Sequence, residues 1–486
     1  MSRATSQRRG RTISLGTLLE GWCAFESNAG KDRIAVNGLG LDAAAIRPGE
    51  AYVAVGRGLK RAAEATVRGA AVVLHDDEAA APQLDIPALA VPGLAARLGE
   101  LGARFHRHPA EQMTLAGVTG GRGKTSTAHF IAQAWQRAAG GAGCVSDLGH
   151  GPLGRPGRMA DTTLDGIALQ GVLSDCLQQG VERMVLEYSP RLFDAEAGAG
   201  LGLDALVFTA SGPDEKTDPL RVFADEHPRF AVVNHDDPAG KDLSRRIANG
   251  TQVLTFGTNG ATELRGSVLG MDASGMTIRL AGPWGGGEVR TGLLGAHSLS
   301  NLLGAAGALA LLGMPWNRIM HQVEIMQAAP GRLHALGGEP GQPVVVLDEA
   351  SSPATLEETL TALRSHLHGR LVCVFGCDAA HGLAERRAMA AAAESLSDRV
   401  VMTLGDAADE NPWAIFEDMA RGLRRLHDAR VIEDRAEAIR SAIEESRAGD
   451  IVLVAGRGVE RWRDAAGRAV RCDDAATVRG LLEEAA

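Results

Sequence analysis

The sequence predicts an α/β protein of about three domains, and three observations support this fold class. Its 486 residues, at roughly 100–200 residues per domain, provide for about three hydrophobic cores. Short apolar runs alternate with helical patterns over most of the chain, as expected of strands covered by helices on both faces. A glycine-rich turn also separates one apolar run from a helix, an arrangement typical of α/β domains.

Residues 1–110 are predicted to form a small N-terminal α/β domain. "ISLGTLLEGW" (13–22) predicts a short helix. "AYVAV" (51–55) and "AAVVLHD" (70–76) predict strands with a helix between them, and residues 85–109 predict a last strand and helix.

Residues 111–329 are predicted to form a central domain with a parallel sheet. Its apolar, strand-like runs lie at 113–119, 183–188, 204–209, 229–234 and 252–256. Residues 267–294 combine glycine-rich turns with alternating runs, which predicts an antiparallel insertion. Residues 298–314 are apolar nearly all round, which predicts a buried helix.

Residues 330–486 repeat the alternation of strands and helices. The apolar runs of this region lie at 343–350, 371–377, 399–406, 429–434 and 450–456. This pattern predicts a separate, Rossmann-like C-terminal domain with a parallel sheet.

The overall charge argues against some classes of partner. The chain carries 60 acidic and 50 basic residues, a formal net charge of −10, which opposes binding to nucleic acid or to an anionic membrane. No apolar run approaches the ~18 residues of a membrane span. The six cysteines form no CxxC pair and follow no secretory signal, so reduced thiols in a cytoplasmic protein are expected.

The segment "GVTGGRGKTSTAHF" (117–130) is a candidate phosphate site. Gly120, Gly121 and Gly123 allow the backbone to approach phosphate oxygens and to direct N–H groups toward them. Lys124 adds a positive charge for the outer phosphates. The helix that follows points its positive end at the same anion.

Two features qualify this interpretation. The common eight-residue phosphate-loop spacing is not met, since position 118 is Val. A glycine turn that only packs a helix on a strand is the alternative. The order of strand, glycine turn, Lys-Thr-Ser and helix favours ATP binding, with the Thr125 hydroxyl suited to Mg²⁺.

The chain resembles the Mur ligases, which add amino acids to the peptidoglycan precursor, and among them the MurE type that extends UDP-N-acetylmuramoyl-dipeptide. The resemblance covers nearly the whole chain and implies the three-domain architecture of that family. The matching segments are 38–58, 103–127, "DTTLDGIALQ" (161–170), "VLEYS" (185–189), "GAHSLSN" (295–301), "APGR" (329–332), "VVVLDEASSP" (344–353), 434–443 and 450–460.

The family reaction implies roles for the phosphate-binding residues. A substrate carboxylate attacks the γ-phosphate of ATP, and an amine then displaces phosphate from the acyl phosphate to form an amide. Carried over by position, Lys124 would hold the β- and γ-phosphates within the loop that includes Ser126. Thr125 and Glu187 would bind Mg²⁺, and Arg332 would reach the phosphates across the domain cleft.

The resemblance also implies contacts to the rest of the substrates. His297 and Asn301 would flank the adenine, and Asp348 would hold the ribose. The residues implied for the acceptor are Thr162, Thr163 and Ser189.

Each of these residues also has a structural alternative. Glu187 could be a solvated carboxylate at a strand end, and His297 a capping or buried imidazole. Arg332 could be a linker charge, and Asp348 the N-cap of the next helix. Their occurrence in family order over a long stretch favours the functional interpretation.

The sequence departs from the family where the second metal binds. Residues 210–230 lack the family's Asp-His pair and the helix with its carbamylated lysine. Lys216 is the nearby lysine, and we do not assign it that role. Ser351 takes the position of a family histidine in "DEASSP" (348–353).

The amino-acid-binding positions also differ. The Asp-Asn-Pro-Arg that grips diaminopimelate aligns with 405–408, which is Gly-Asp-Ala-Ala. The arginine of an upstream motif aligns with His381. We therefore expect that the protein does not add diaminopimelate.

Two classes of function remain. The first is an ATP-dependent ligase that joins the carboxylate of a small-molecule acceptor, such as a UDP-muramoyl-peptide, to an amino acid. The second is a nucleotide-binding, non-ligating Mur-like protein that serves as a partner or regulator. The retained Lys124, Glu187 and Arg332 favour the ligase, which we predict, as a monomer or with a protein partner. The absent metal-binding residues favour the second class.

Overall fold

Three sheet-based units follow one another along the chain in the computed structural model. The described residues are 12–23, 30–76, 84–154, 163–189, 192, 201–212, 219–247, 250–408, 410–456, 459–463 and 469–484, with the side chains of Leu426 and of 459–463 and 469–472 left aside. Thr162 and Lys216 lie outside the described residues.

The N-terminal unit is built on a four-stranded parallel sheet with the order β3-β4-β5-β6. Its elements are β1 (Ile13–Ser14), α1 (Leu15–Leu18), β2 (Ala35–Val36), β3 (Leu39–Gly40), β4 (Ala51–Ala54), α2 (Ala62–Val67), β5 (Val72–His75), β6 (Ala88–Ala90) and α3 (Leu98–His106). The predicted first helix is shorter than expected: it begins after Ser14, which caps it and pairs with β2, and it ends at Leu18.

The central unit has a ten-stranded sheet in the order β16-β15-β14-β13-β12-β11-β7-β10-β8-β9. Its elements are β7 (Thr114–Thr119), α4 (Lys124–Ala139), β8 (Ala142–Ser146), β9 (Gly149–Pro152), α5 (Gly166–Gln178), β10 (Arg183–Glu187), β11 (Ala205–Phe208), α6 (Pro219–Glu226), β12 (Phe230–Asn234), α7 (Pro238–Arg246), β13 (Gln252–Gly257), β14 (Leu264–Asp272), β15 (Gly275–Gly282), β16 (Gly285–Thr291), α8 (His297–Leu311) and α9 (Trp316–Glu324).

The middle of this sheet is parallel, and the predicted antiparallel insertion is confirmed as β14, β15 and β16. The predicted buried helix is confirmed as α8, in which 12 of 15 residues are buried. Gly307 lets α8 approach the sheet, since a Cβ there would lie 2.9 Å from Val232 and Leu254 side-chain atoms. The apolar core of the unit therefore lies between α4, α8 and the sheet.

The C-terminal unit has a six-stranded sheet in the order β17-β18-β22-β19-β20-β21, parallel except for the edge strand β17. Its elements are β17 (His334–Gly337), β18 (Val344–Asp348), α10 (Pro353–Arg364), β19 (Leu371–Cys377), α11 (Leu383–Leu396), β20 (Arg399–Leu404), α12 (Pro412–Ala420), β21 (Ala429–Val431), α13 (Arg435–Glu444), β22 (Ile451–Ala455), β23 (Val459–Arg463), β24 (Ala469–Asp473) and α14 (Asp474–Glu484).

The predicted domain limits fall between these units. The limit at 110/111 lies between α3 and β7, and the limit at 329/330 lies between α9 and β17. That these two limits are the boundaries of domains stays a prediction. Among the described helices, none has the length and apolar character needed to cross a bilayer.

A buried ion pair fastens the last helix to the C-terminal sheet. Arg435 at the start of α13 donates to both carboxylate oxygens of Asp474, at 3.0 and 2.8 Å, and to the carbonyl of Ala455 at 2.9 Å. The side chains of Arg435 and Asp474 are 5% and 2% exposed. Each charge therefore depends on the other for compensation.

We expect Asp474→Asn to destabilise the C-terminal unit by about 3–5 kcal/mol, because it leaves a buried guanidinium without its counterion. The matched control is Glu484→Gln, since the exposed pair Arg440–Glu484 joins the same two helices and should contribute less than about 1 kcal/mol. Urea-dependent hydrogen exchange of the β22 amides measures both. Equal losses in the two variants would contradict the expectation.

Candidate functional site

The glycine turn lies at the carboxyl end of β7, near the middle of the central sheet. β7 ends at Thr119 and α4 begins at Lys124. Gly120 and Gly123 have φ values of 130° and 82°, in the region that glycine adopts without steric cost. The first N–H groups of α4 have no partner within the helix and are available to an anion.

Close packing also requires glycine in this turn. A Cβ atom at Gly121 would clash with the backbone of Gly212, and one at Gly123 would clash with Oδ1 of Asn301. The N–H of Gly121 also donates to the carbonyl of Ala210 at 2.5 Å. Helix packing and close approach to phosphate are thus compatible explanations for the glycines.

Lys124 lies over the turn that precedes it. Its Nζ atom donates to the carbonyl of Gly120 and, at 3.2 Å, to that of Gly121. Ser126, in the same first turn of α4, is half-buried. The turn therefore holds an ammonium group beside the unpaired N–H groups of α4, where an anion would gain from both.

Glu187 ends β10 and is almost completely buried, with 1% of the residue exposed. Its Oε2 accepts a hydrogen bond from Oγ1 of Thr125 at 2.9 Å. Burial and the nearby charge of Asp147 raise the pKa of Glu187 to about 7, while Lys124 and the Thr125 hydroxyl oppose this shift. The carboxylate is therefore short of compensating positive charge.

Asp147 faces Glu187 and is not among the residues predicted from the sequence. Its N–H donates to Oε2 of Glu187 at 3.3 Å, and its charge raises the pKa of that carboxyl. Asp147 directly follows β8, which pairs with β10 in parallel. Since the carboxyl ends of parallel strands meet at one edge, an acidic residue after this buried strand was the signal that could have found it.

The oxygen atoms of Thr125, Glu187 and Asp147 suit a hard divalent cation. Mg²⁺ prefers oxygen ligands and is usually held by one or two carboxylates together with substrate phosphates and water. In the described part of the chain, no group of three or more His, Cys, Asp or Glu side chains surrounds a metal position. A cation here would supply the charge that Glu187 lacks, so these residues fit Mg²⁺ that is bound with a nucleotide.

His297 and Asn301 lie one turn apart at the start of α8. His297 is exposed, whereas Asn301 is buried against Gly123. The structure therefore places Asn301 beside the glycine turn and His297 one helical turn away from Asn301.

The cations that border the domain cleft are already paired. Arg332 lies 2.5 Å from Glu349, and the two side chains are 30% and 33% exposed. Arg122 of the glycine turn lies 2.5 Å from Glu358 of α10. A phosphate would compete with Glu349 for Arg332, and a phosphate contact by Arg332 stays a prediction.

Asp348 has a structural role that the sequence did not indicate. Its carboxylate accepts hydrogen bonds from the N–H groups of Leu333 at 2.8 Å and Ala350 at 3.1 Å, and from the hydroxyl of Thr359 at 3.0 Å. Burial raises the pKa of Asp348. The alternative that Asp348 caps α10 is wrong, because Ser352 is the N-cap. The ribose contact stays a prediction.

The residues implied for the acceptor lie near the same edge of the sheet. Thr163 is exposed ahead of α5, and Ser189 follows Glu187. Within the described residues, Oγ of Ser189 is buried without a hydrogen-bond partner. An unpaired buried hydroxyl is costly, which suits a position that a substrate would complete.

The predicted amino-acid-binding positions contain a histidine with both nitrogens engaged. Nδ1 of His381 accepts the N–H of Asp378 at 2.9 Å, and Nε2 lies 2.8 Å from the carbonyl of Ser351, to which it donates. An imidazole that accepts through Nδ1 is neutral. In this arrangement His381 does not replace the cation of the family's arginine.

The loop at 405–408 is held by the carboxylates of Asp406 and Asp378. Oδ1 of Asp406 accepts the N–H of Ala408 at 2.9 Å, and Oδ1 of Asp378 accepts the N–H of Asp406 at 2.8 Å. Arg386 is 3% exposed and bonds to Glu410 at 2.7 and 2.6 Å. Its guanidinium, which also contacts Asp418 at 3.2 Å, is therefore paired with two carboxylates.

Family profiles and sequence relatives match most of this chain. The Mur ligase middle domain profile matches residues 118–214 and 220–309, and the profile described as Mur ligase, glutamate ligase domain matches 331–458. The UDP-N-acetylmuramoyl-L-alanyl-D-glutamate–2,6-diaminopimelate ligase of Xylella fastidiosa is 34% identical, over 92% of this chain and 94% of that protein. Its counterpart from Xanthomonas campestris is 36% identical, with the same coverages of 92% and 94%.

Solved structures show the same fold. A diaminopimelate ligase of the same name superposes with a TM-score of 0.72 at 24% identity, covering 98% of this chain and 99% of that one. The MurF ligase of Thermotoga maritima in complex with ADP gives a TM-score of 0.58 at 18% identity, with coverages of 92% and 98%. The profiles and the sequence relatives together show that this chain belongs to the Mur ligase family, whose members form amide bonds with the use of ATP.

Proposed function

We propose that this protein binds MgATP between the glycine turn and Glu187 and joins an acceptor carboxylate to an amine through an acyl phosphate. The observation that carries the proposal is the convergence of Lys124, Thr125 and Glu187 at the carboxyl end of the central sheet. This position, next to the start of α4, is where open α/β sheets bind phosphorylated ligands.

The acceptor is proposed to be a UDP-muramoyl-peptide. The relatives that cover 92% of this chain are named for the acceptor UDP-N-acetylmuramoyl-L-alanyl-D-glutamate. Thr163 is exposed, and the hydroxyl of Ser189, two residues after Glu187, is buried without a partner among the described residues, so both are available to such an acceptor. Thr162 belongs to the same proposal but lies outside the described residues.

In the proposed reaction, the acceptor carboxylate attacks the γ-phosphorus, and the bond from that phosphorus to the bridging oxygen breaks as ADP leaves. The incoming amine then attacks the acyl carbon, loses a proton and expels phosphate. Lys124 and the N–H groups of α4 stabilise negative charge on the transferred phosphoryl group. Arg332 joins them once it leaves Glu349. Mg²⁺, held by Thr125 and Glu187 with Asp147 nearby, would supply further positive charge to the phosphates.

The amine is proposed not to be diaminopimelate, although the relatives are named for it. A distal carboxylate is usually held by a bidentate arginine. The aligned loop offers Asp406 and Ala408, His381 is neutral in its contacts, and Arg386 is paired with Glu410 and Asp418. The site therefore lacks a free cation among its described residues.

Lys124→Ala should weaken ATP binding about 10- to 100-fold, because a charge-assisted contact contributes about 1.5–3 kcal/mol. The matched control is Lys241→Ala, which removes an exposed lysine of the same unit. Calorimetric titration with a non-hydrolysable ATP analogue measures both. Unchanged affinity in folded Lys124→Ala would refute the nucleotide site.

Glu187→Gln should alter the pH dependence of stability in the absence of metal and nucleotide. The raised pKa means that the folded state holds its proton up to about pH 7, whereas the unfolded state releases it near ~4.3. Wild-type stability should thus fall by about 3 kcal/mol from this group between pH 5 and 8, and the variant should lack that loss.

Urea unfolding at pH 5 and pH 8 measures this difference in stability. The matched control is Glu182→Gln, because the side chain of Glu182 is 73% exposed. MgATP should raise the stability of the wild type at pH 8 and should raise that of Glu187→Gln much less. Identical pH profiles for the wild type and Glu187→Gln would show that the carboxylate is not held as described.

We expect this protein to select against diaminopimelate as the amine. Losing one charge-assisted pair costs roughly 2–5 kcal/mol, or about 30- to 5,000-fold in selectivity. A competition assay with ATP, UDP-N-acetylmuramoyl-L-alanyl-D-glutamate and mixed amino acids, read by mass spectrometry, should show poor incorporation of diaminopimelate. The Xanthomonas campestris relative is the positive control. Efficient incorporation by this protein would refute the proposal, and no ligation with any amine while ATP binds would favour the non-ligating alternative.

A further inference from the structure

A histidine of the C-terminal unit is inserted into the central unit beside the start of α8. His366 lies just after α10 and is 1% exposed. Its Nε2 accepts the N–H of Gly295 at 2.8 Å. Its Nδ1 lies 2.8 Å from the carbonyl of Asp272, to which it donates. Both ring nitrogens are therefore used by backbone groups of the other unit, and the ring is neutral with its proton on Nδ1.

The surroundings of His366 keep Nε2 available as an acceptor. Burial lowers the pKa of the imidazole, which favours the neutral ring. The charged and titratable groups that face it are Asp272, Arg290 and His297. The carbonyl of Asp272 accepts from Nδ1, and this contact fixes which nitrogen carries the proton.

Residues 294–301, which we term the α8 start, begin in contact with the C-terminal unit and continue into the central unit, where Leu299 packs in the core and Asn301 lies against Gly123. Leu294 is 1% exposed and packs in the apolar core of that unit together with Leu333. Gly295 has a φ of 79°, and a Cβ there would lie 2.7 Å from the His297 ring and 2.8 Å from Leu333. The hydroxyl of Ser298 donates to the carbonyl of Leu294 at 2.7 Å.

We propose that His366 is a positioning residue for nucleotide binding: its bond to Gly295 sets the α8 start, and with it His297 and Asn301, in the orientation that receives the adenine. The inference rests on the proposed function, since the adenine contact is part of it. In addition, the C-terminal unit controls the nucleotide site through His366, a side chain that contacts neither the nucleotide nor the glycine turn. The affinity for adenine nucleotide then depends on where the C-terminal unit lies.

Two substitutions separate the two hydrogen bonds of His366. The side-chain oxygen of Gln reaches the place of Nε2, so His366→Gln keeps an acceptor for Gly295 and loses the donor to Asp272. The side-chain amide of Asn reaches only the place of Nδ1, so His366→Asn keeps the donor and loses the acceptor. His368→Asn, at an exposed position two residues away, is the matched control.

The full-length variants are titrated with MgADP by calorimetry, and hydrogen exchange of residues 294–301 is followed by mass spectrometry. We expect His366→Asn to raise the dissociation constant about tenfold, as for the loss of one hydrogen bond, and to speed exchange at the α8 start. His366→Gln should stay within about threefold of the wild type, and His368→Asn should match it.

The proposal is overturned if His366→Asn and His366→Gln bind MgADP with equal affinity. This holds if both variants bind normally, and also if both bind weakly and lose the same amount of melting temperature. In either case His366 is a purely structural contact. Failure of the wild type to bind MgADP refutes the proposed function instead. In that case the exchange data still decide the positioning role, because faster exchange of the α8 start in His366→Asn than in His366→Gln supports it and equal exchange overturns it.

Discussion

The hydrogen bond between Thr125 and the buried carboxylate of Glu187 joins the start of α4 to the end of β10, and the rest of the central site is arranged around it. A carboxylate in an apolar interior requires compensating charge or hydrogen bonds. The glycine turn permits α4 to begin close enough for Thr125 and Lys124 to provide part of this compensation. Asn301 then closes the far side of the turn, which links α8 to the same constraint.

Much of the fold followed from the sequence because its signals are local. The apolar runs, the glycine turn before Lys124 and the apolar helix α8 each depend on residues that are neighbours in the chain, and all were predicted. The antiparallel insertion was predicted for the same reason, from its glycine-rich turns. The limited length of α1 was not, since the helix begins only after Ser14, which pairs with Ala35 of β2 about twenty positions away.

The site was predictable only in part, because several of its contacts join residues that are distant in sequence. Asp147 follows a buried strand, which is a local signal, but its contact with Glu187 depends on the pairing of that strand with β10. Asp348 was assigned to a ligand from its family position, yet its oxygens hold Leu333, Ala350 and Thr359. His366 carries no motif, and its partners lie at the end of β14 and just before α8 in another unit. Polar residues whose partners are backbone groups are the hardest to identify from a sequence.

The arginine pairs at the cleft have a consequence for the electrostatics of ligand binding. Arg122 and Arg332 are matched by Glu358 and Glu349, two carboxylates of neighbouring segments in the C-terminal unit. A polyphosphate that recruits either arginine exchanges one anion for another instead of meeting a bare cation. Salt weakens both the new attraction between phosphate and arginine and the lost attraction between glutamate and arginine. The affinity for the polyphosphate therefore depends less on ionic strength than the number of cations suggests. The same exchange frees carboxylates on the C-terminal unit, which changes the charge of the cleft that an incoming amine encounters.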